Sequence, residues 1–368
     1  IEAGTLTKAE RERLFKAVRD EKARAVFVYV VRIYGGSMKY DVRSPLSDLE
    51  SGLFLKKYAQ PDSKRMRNME CLAHNADMLP YRMPFFFGLY AFEENFTHVE
   101  SFVEAHLEGL SDNARTLLRY MALVSRFSQA PINRSIVAAM ANRDNTEAFS
   151  LETALGVNAC RLVIQDAHTG EVVVRVIHPL IAEQILRHTG PTGGAETEQW
   201  EQQLEPLSCQ FIANLADVCD TDSDAALDLL AEMYIRRDEL HAEGRRSQFA
   251  QLIQSIPSAH GQARVLGKLT ELFPEGAHFW NHRGRHSSIV LREDFRQAET
   301  FLQKAIKLQP SDSLHHHSLG MIYRFEVVRL LKNLVKHTRS GSAGVEEARE
   351  QIETLASSEK FVGGFRYG

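Results

Sequence analysis

The sequence predicts a mainly α-helical chain that begins with the end of an α/β domain. Three observations lead to this fold class. There is one short apolar strand over residues 25–31, one β-hairpin over residues 161–177, and helical apolar spacing over most of residues 196–368. A chain of 368 residues is long enough for two or three domains.

Composition excludes several classes of protein. The chain is 44% hydrophobic and 25% charged with a net charge of −4, so no global field favours nucleic acid or an anionic membrane. The four cysteines lack CxxC spacing, which does not favour a disulfide framework or a zinc site. No apolar run approaches about 18 residues, so we expect no membrane span and a cytoplasmic location. Because the chain begins with Ile1 rather than Met, we expect a fragment of a longer protein.

The first predicted domain, residues 1–63, is the remnant of an α/β domain. Residues 25–31 read AVFVYVV, a continuous apolar run typical of a strand buried on both faces. Arg32 follows at the carboxyl end of this strand, the edge where α/β folds bind ligands. A strand-end charge in solvent is the alternative interpretation of Arg32.

A helical domain is predicted over residues 64–110. It holds a dense aromatic run, PFFFGLYAF, which begins at Pro84 and ends at Phe92. On its own, Pro84 fits a structural proline as well as a functional one.

The third predicted domain, residues 111–189, combines helices with a hairpin. Ser111 is placed to cap an amphipathic helix. Two β-branched strands are joined by a turn over residues 167–171, in which Gly170 supplies positive φ. Three helices and a two-stranded hairpin are the winged-helix plan. The helices are predicted at Asp112–Phe127, Ile132–Met140 and Leu151–Leu155, and the strands at Arg161–Asp166 and Val172–Ile177.

His178 lies where the hairpin meets the next helix. Pro179 suits the first turn of that helix, and apolar residues then recur at helical spacing. By spacing alone, His178 fits a structural histidine. Three arginines of this domain do not form a basic stripe, so direct duplex binding is not favoured: Arg161, Arg175 and Arg187.

The last predicted domain, residues 196–368, is a helical repeat array. Ala298, Ala305 and Pro310 have the separations of the second helix and terminal proline of a tetratricopeptide repeat. Leu319, Gly320 and Tyr323 fit L-G-x2-Y in the first helix of the next repeat. Further helices are predicted at Trp200–Asp217, Ser223–Tyr234, Ser247–Ile256, Ala263–Phe273 and Val345–Leu355.

Motifs for catalysis are absent from the sequence. There is no GxxxxGK[ST] loop, and HExxH, GxSxG and EF-hand patterns are missing as well, so we expect no enzyme activity from this segment alone. The run His315-His316-His317 does not predict a metal site, because consecutive residues of a helix point in three directions.

Taken in order, these features resemble the C-terminal part of a STAND NTPase, one of the signal-transduction ATPases with numerous domains. AVFVYVVR, ending at Arg32, is similar to the sensor 1 strand of that family. PFFFGLYAF, with Pro84, is similar to the motif that contacts adenine. VIHPL is similar to the winged-helix motif whose histidine contacts the β-phosphate, although Pro179 replaces the acid that follows His178.

The resemblance is closer to the branch that holds animal sterile-alpha-motif antiviral factors and bacterial antiphage relatives. PFFFGLYAFEENF, RVIHPLIAEQIL and AIKLQPSDSLHHHSLGMIYR carry it. It implies ATP or ADP with Mg²⁺ in the parent protein, none of it bound by this segment alone. It also implies an effector domain in the same or a partner chain, a protein trigger or partner on the repeat array, and homo-oligomer formation on activation.

Two functions therefore remain open. The first is the regulatory and sensing segment of a STAND switch in antiviral or antiphage defence. The second is a winged-helix and tetratricopeptide adaptor or transcriptional regulator with no nucleotide role.

Overall fold

The structure is a computed structural model that describes residues 99–128, 130–141, 149–168, 171–190, 197–218, 224–236, 248–292, 295–340 and 344–357. Fourteen α-helices and three strands lie in these ranges, and helices account for most of the residues, so the mainly α-helical fold is confirmed. The predicted domain 1–63 with its strand and Arg32 lies outside the described residues, and so does Pro84.

Two compact units divide the chain, Ile1–Ala105 and His106–Gly368. The first is described only from Val99, where helix α1 (Val99–Leu107) begins. All later elements lie in the second unit. Within the described ranges, no helix combines the length and the apolar composition that crossing a membrane requires.

Helix α2 (Asp112–Phe127) has the predicted bounds, and half of its residues are buried. Its N-terminus is capped as predicted, because the Ala114 N–H donates to Ser111 Oγ at 3.3 Å. Seven residues in the middle of α2 are at most 4% exposed, and they point in all directions around the helix. Other elements must therefore surround α2. The buried residues are Leu117, Leu118, Tyr120, Met121, Ala122, Leu123 and Val124.

A three-stranded antiparallel sheet in the order β1-β3-β2 packs against α2 through its central strand. The strands are β1 (Ile132–Asn133), β2 (Val163–His168) and β3 (Glu171–Val176). Pairing continues to His168 opposite Glu171, so the predicted five-residue turn was too long. Cross-strand hydrogen bonds continue until two residues remain, which is the loop length that tight hairpins favour.

The predicted helix over Ile132–Met140 is wrong at its start, because its first two residues form β1 beside β3. Asn133 Oδ1 accepts the Ser135 N–H at 3.0 Å, as the side chain of a helix cap does, so helix α3 (Arg134–Ala141) begins after it. Two short helices follow, α4 (Leu151–Leu155) at its predicted position and α5 (Val157–Cys160).

Helix α6 (Pro179–His188) packs along α2, and Pro179 occupies its first position as predicted. Glu183 of α6 accepts from Arg126 of α2 at 3.0 Å and from Arg187 one turn further along α6 at 2.8 Å. The predicted apolar positions Ile181 and Ile185 are fully buried.

The remaining elements that the structure describes are all helical, and from α10 onward each helix contacts the next. A 3₁₀-helix over Thr197–Gln203 comes first, and a π-helical turn over Ser287–Leu291 interrupts the later part. The α-helices are α7 (Leu204–Val218), α8 (Asp224–Tyr234), α9 (Gln251–Ser255), α10 (Ala259–Leu272), α11 (Ala277–His286), α12 (Phe295–Leu308), α13 (Ser313–Ser340) and α14 (Gly344–Ala356).

Aromatic side chains join the first of these helices to α2 and α6. Tyr120 of α2 meets Phe211 of α7 edge-on, with ring centroids 5.5 Å apart. The Trp200 ring stacks on Phe127 at 6.5 Å and lies under the Arg187 guanidinium at 5.7 Å. The sheet-containing part and the start of the helical array thus share a core.

Helices α11 and α12 approach closely at Gly284. A Cβ built on Gly284 would lie 2.7 Å from Leu302 Cγ and 3.0 Å from the Ala298 carbonyl oxygen. Ala298 and Ala305 are fully buried, and α12 ends at Leu308, before Pro310. Small residues therefore set the spacing of these two helices.

We predict that Gly284→Ala destabilises the protein by about 1–3 kcal/mol, because the added methyl group forces α11 and α12 apart. The matched control is Gly267→Ala in α10, where the nearest atoms to a new Cβ lie 3.8 Å away on the Arg283 side chain. That change should stabilise by about 0.5–1 kcal/mol through helix propensity. Urea unfolding followed by circular dichroism measures both. A Gly284→Ala midpoint equal to or above that of Gly267→Ala would contradict the close approach.

Candidate functional site

A groove of about 780 Å³ opens on the helical array between α10, α11, the π-helical turn and α12. Apolar side chains form part of its wall, among them Leu266, Leu291 and Phe301. Polar and charged groups are set among them, so the groove offers contacts to an apolar ligand that also carries charge. These groups are Arg264, Lys268, Glu271, Arg283, His286 and Ser287.

The groove lining contains three cationic side chains and one carboxylate, so its net charge is positive. Arg264 donates two hydrogen bonds to Glu205, at 2.5 and 2.7 Å, and this pairing lowers the pKa of the Glu205 carboxyl. Lys268 lies 3.1 Å from Glu271. Both cations are thereby held at the groove while their side chains stay partly exposed.

Arg283 is the cation most firmly fixed in the groove. Its Nη1 donates to Thr270 Oγ1 at 2.6 Å, and its guanidinium lies 4.2 Å from the centroid of the Phe301 ring. Burial lowers the pKa of this guanidinium from its ordinary value, yet an arginine remains charged at neutral pH. A fixed, partly desolvated guanidinium is suited to recognising an anionic group.

His286 and Ser287 lie where α11 gives way to the π-helical turn. His286 is 1% exposed, and its Nε2 lies 2.8 Å from Gln262 Oε1. Burial lowers the pKa of His286 to about 4, so the ring is neutral at pH 7. Ser287 Oγ is buried without a hydrogen-bond partner among the residues that the structure describes. Single π-helical turns occur often at functional sites.

Cys209 and His286 are the groove residues whose side-chain types most often act in catalysis. The Cys209 thiol has a pKa raised mainly by burial, which opposes the thiolate needed for nucleophilic attack. In the described part of the groove, His286 is hydrogen-bonded to an amide rather than to a nucleophile.

His178, the predicted nucleotide contact, is the N-cap of α6. Its backbone is extended, with φ −155° and ψ 144°, and its Nδ1 accepts the Leu180 N–H at 3.1 Å. The positive end of the helix dipole lies at the same place and favours anions. Of the three predicted site residues, only His178 lies in the described part of the chain. Arg32 and Pro84 lie outside it, so their distances from His178 are not defined.

The run His315-His316-His317 spreads around α13 as predicted. His315 is fully buried, His316 Nε2 lies 2.9 Å from the Pro310 carbonyl oxygen, and His317 is exposed. These three histidines therefore do not share one metal ion.

Sequence reasoning missed the groove. A basic cluster at the end of α11, which contains Arg283, Arg285 and His286, was the available signal. Arg283 and His286 of this cluster line a groove only because the π-helical turn follows α11 and α10 packs opposite. Neither of these features has a local sequence signature.

Comparison of this chain with family models, with curated proteins and with solved structures finds no match. Function is therefore inferred from the residues and their geometry.

The neutral state of His286 predicts acid sensitivity. The pKa of this group is about 4 in the folded chain and near 6.5 when unfolded, so protons bind the unfolded chain more strongly. Stability should hold above pH ~6.5 and fall as the pH drops toward 4, with a loss from this group of about 2 kcal/mol at pH 5.

Urea unfolding of the His286→Gln variant at pH 7.5 and at pH 5 tests this prediction. The substitution should remove the loss of stability that His286 causes at pH 5. His260→Gln is the control, because His260 is exposed at the groove rim and should leave the loss unchanged. An unchanged pH dependence in His286→Gln would show that His286 is not the group responsible.

Proposed function

We propose that this chain is the regulatory and sensing segment of a STAND-type NTPase switch in antiviral or antiphage defence. In this proposal His178 reports the nucleotide state, and the helical array binds a protein trigger or partner. Residues 111–189 act as a winged-helix domain and residues 196–368 as a tetratricopeptide-like array.

The winged-helix assignment is supported by the arrangement around α2. A β1-β3-β2 sheet, the helices α2 to α5 and the hairpin of β2 and β3 correspond to the core and the wing of such a domain. The array assignment is supported by the successive contacts of α10 to α14 and by the small residues between α11 and α12.

The observation that carries the nucleotide role is the hydrogen bond at His178. A neutral imidazole that accepts at Nδ1 carries its proton on Nε2, which makes Nε2 a donor. A donor beside the N-terminus of a helix is suited to a phosphate oxygen. His178 offers only one such contact. Most of the contacts to ATP or ADP with Mg²⁺ would therefore come from a P-loop domain of the longer protein.

The groove supports the sensing role. It holds Arg283 against Phe301 beside further apolar wall residues, a combination suited to an extended peptide with apolar and acidic side chains. Binding such a segment of the trigger would favour the conformation in which an effector domain is released and chains associate.

A second candidate function is an adaptor without a nucleotide. It is favoured by the fact that the Nδ1 bond gives His178 a structural role as a helix cap. Duplex binding by the winged helix is less favoured, because Arg187 is ion-paired with Glu183 and stacked over Trp200.

The two functions are separated by two substitutions of His178 in the intact parent protein. His178→Ala removes the cap and the Nε2 donor, whereas His178→Ser keeps a capping hydroxyl but cannot reach a phosphate. If His178 contacts the nucleotide, both variants should hold ADP about tenfold or more weakly and become active without trigger. ADP retention and cell toxicity measure these effects.

A purely structural histidine gives a different outcome, in which His178→Ser behaves as the unmodified protein and only His178→Ala is impaired. The isolated segment should bind ADP weakly or not at all in either case.

For the groove, we predict that Lys268→Glu weakens binding of acidic peptides about tenfold, because it reverses a charge beside Arg283. Peptides selected from a random library on the unmodified chain would be measured by fluorescence anisotropy. Lys307→Glu, an equal charge change on α12 outside the groove, should leave the affinity unchanged. Equal affinities of both variants would exclude the groove as the binding surface.

A further inference from the structure

His278, Asp312 and His315 bring three metal-binding side chains together at one end of the helical array. His278 is the second residue of α11, Asp312 directly precedes α13, and His315 lies in the first turn of α13. The cluster therefore links two helices that α12 separates in sequence. None of its three residues lines the groove.

The potential ligand atoms are close to the spacing that a metal ion needs. His315 Nε2 lies 3.5 Å and His278 Nδ1 lies 4.0 Å from Asp312 Oδ2, and the three ligand atoms all lie within 4.8 Å of one another. Tetrahedral zinc with bonds of about 2.0–2.1 Å holds its ligands about 3.4 Å apart. One pair already has this spacing, and the others need a small inward movement.

The rigid and the adaptable parts of the cluster are distinct. Asp312 Oδ1 accepts the Leu314 N–H at 2.8 Å, so the carboxylate caps α13 with one oxygen and offers the other to the histidines. His315 is fully buried, which fixes its ring. The His278 side chain is 46% exposed, so it can rotate toward Asp312 without disturbing the core.

We propose that His278, Asp312 and His315 form a binding site for one divalent transition-metal ion, with zinc as the best fit. The two imidazole nitrogens are borderline ligands that suit zinc rather than Mg²⁺ or Ca²⁺, and zinc also accepts a carboxylate oxygen. The exposed side of His278 leaves a fourth position for water. Gln309 Oε1 lies 3.3 Å from His315 Nε2, and ion binding replaces this contact by a metal–nitrogen bond.

The bound ion stabilises the array by joining α11 directly to α13. The dipole at the start of α13 opposes a cation, but it is weak beside two lone pairs and a carboxylate acting at bonding distance. A metal that binds only the folded array raises its melting temperature in proportion to the logarithm of metal concentration.

The test uses the full 368-residue chain without a histidine tag. Zn²⁺ titration calorimetry should show one site, Co²⁺ should give visible d–d absorption of a low-coordinate nitrogen and oxygen site, and excess Zn²⁺ should raise the melting temperature. His278→Ala should abolish Zn²⁺ binding at this one site, or weaken it more than tenfold. It should also remove the Co²⁺ absorption bands. Because His278 is half-exposed, this variant is expected to fold.

The matched control is His317→Ala, which removes an exposed histidine two residues after His315 and should bind Zn²⁺ as the unmodified chain does. Asp312→Asn keeps a helix cap and removes the charged ligand, so it should weaken the site while leaving the metal-free melting temperature nearly unchanged. The proposal is overturned if the unmodified chain binds no Zn²⁺ at micromolar concentrations, or if His278→Ala and His317→Ala bind it equally.

Discussion

The enclosure of α2 is the constraint on which the second unit depends. Leu118, Met121 and Leu123 are fully buried although they point in different directions, so partners are needed on every side. The sheet and α6 provide some of these partners, and α7 of the array provides Phe211 against Tyr120. Helices α6 and α7 are thus coupled through one shared neighbour, because neither can shift without changing the packing of α2.

A second constraint is the polar interior of α11. Asn281 is fully buried, and neither its Oδ1 nor its Nδ2 has a hydrogen-bond partner in the described structure. Each such unpaired group costs about 1–3 kcal/mol, and Ser287 Oγ adds another. Helices selected for stability alone avoid this arrangement. Of these two residues, Ser287 lies in the π-helical turn and lines the groove.

The sequence reveals the elements whose signals are local. Helix α2 is predictable because Ser111 caps it and its apolar spacing is regular, and the start of α6 is predictable because Pro179 follows a β-branched strand. The sequence of strand β1 predicts helix, because its two residues are strand only through pairing with β3. The groove and the cluster of His278 with Asp312 depend on contacts between helices distant in sequence, which no local pattern encodes.

The observed helix cap at His178 is compatible with the phosphate contact that we propose for it, and together they would let a switch move without unfolding. The Nδ1 bond to Leu180 lies within α6 and does not depend on a nucleotide. Loss of a phosphate from Nε2 would therefore release a contact while α6 keeps its cap and its buried face. A helix that stays intact can move as a rigid body, and Ile181 and Ile185, buried near α2, would pass that movement to the helix on which α7 also packs.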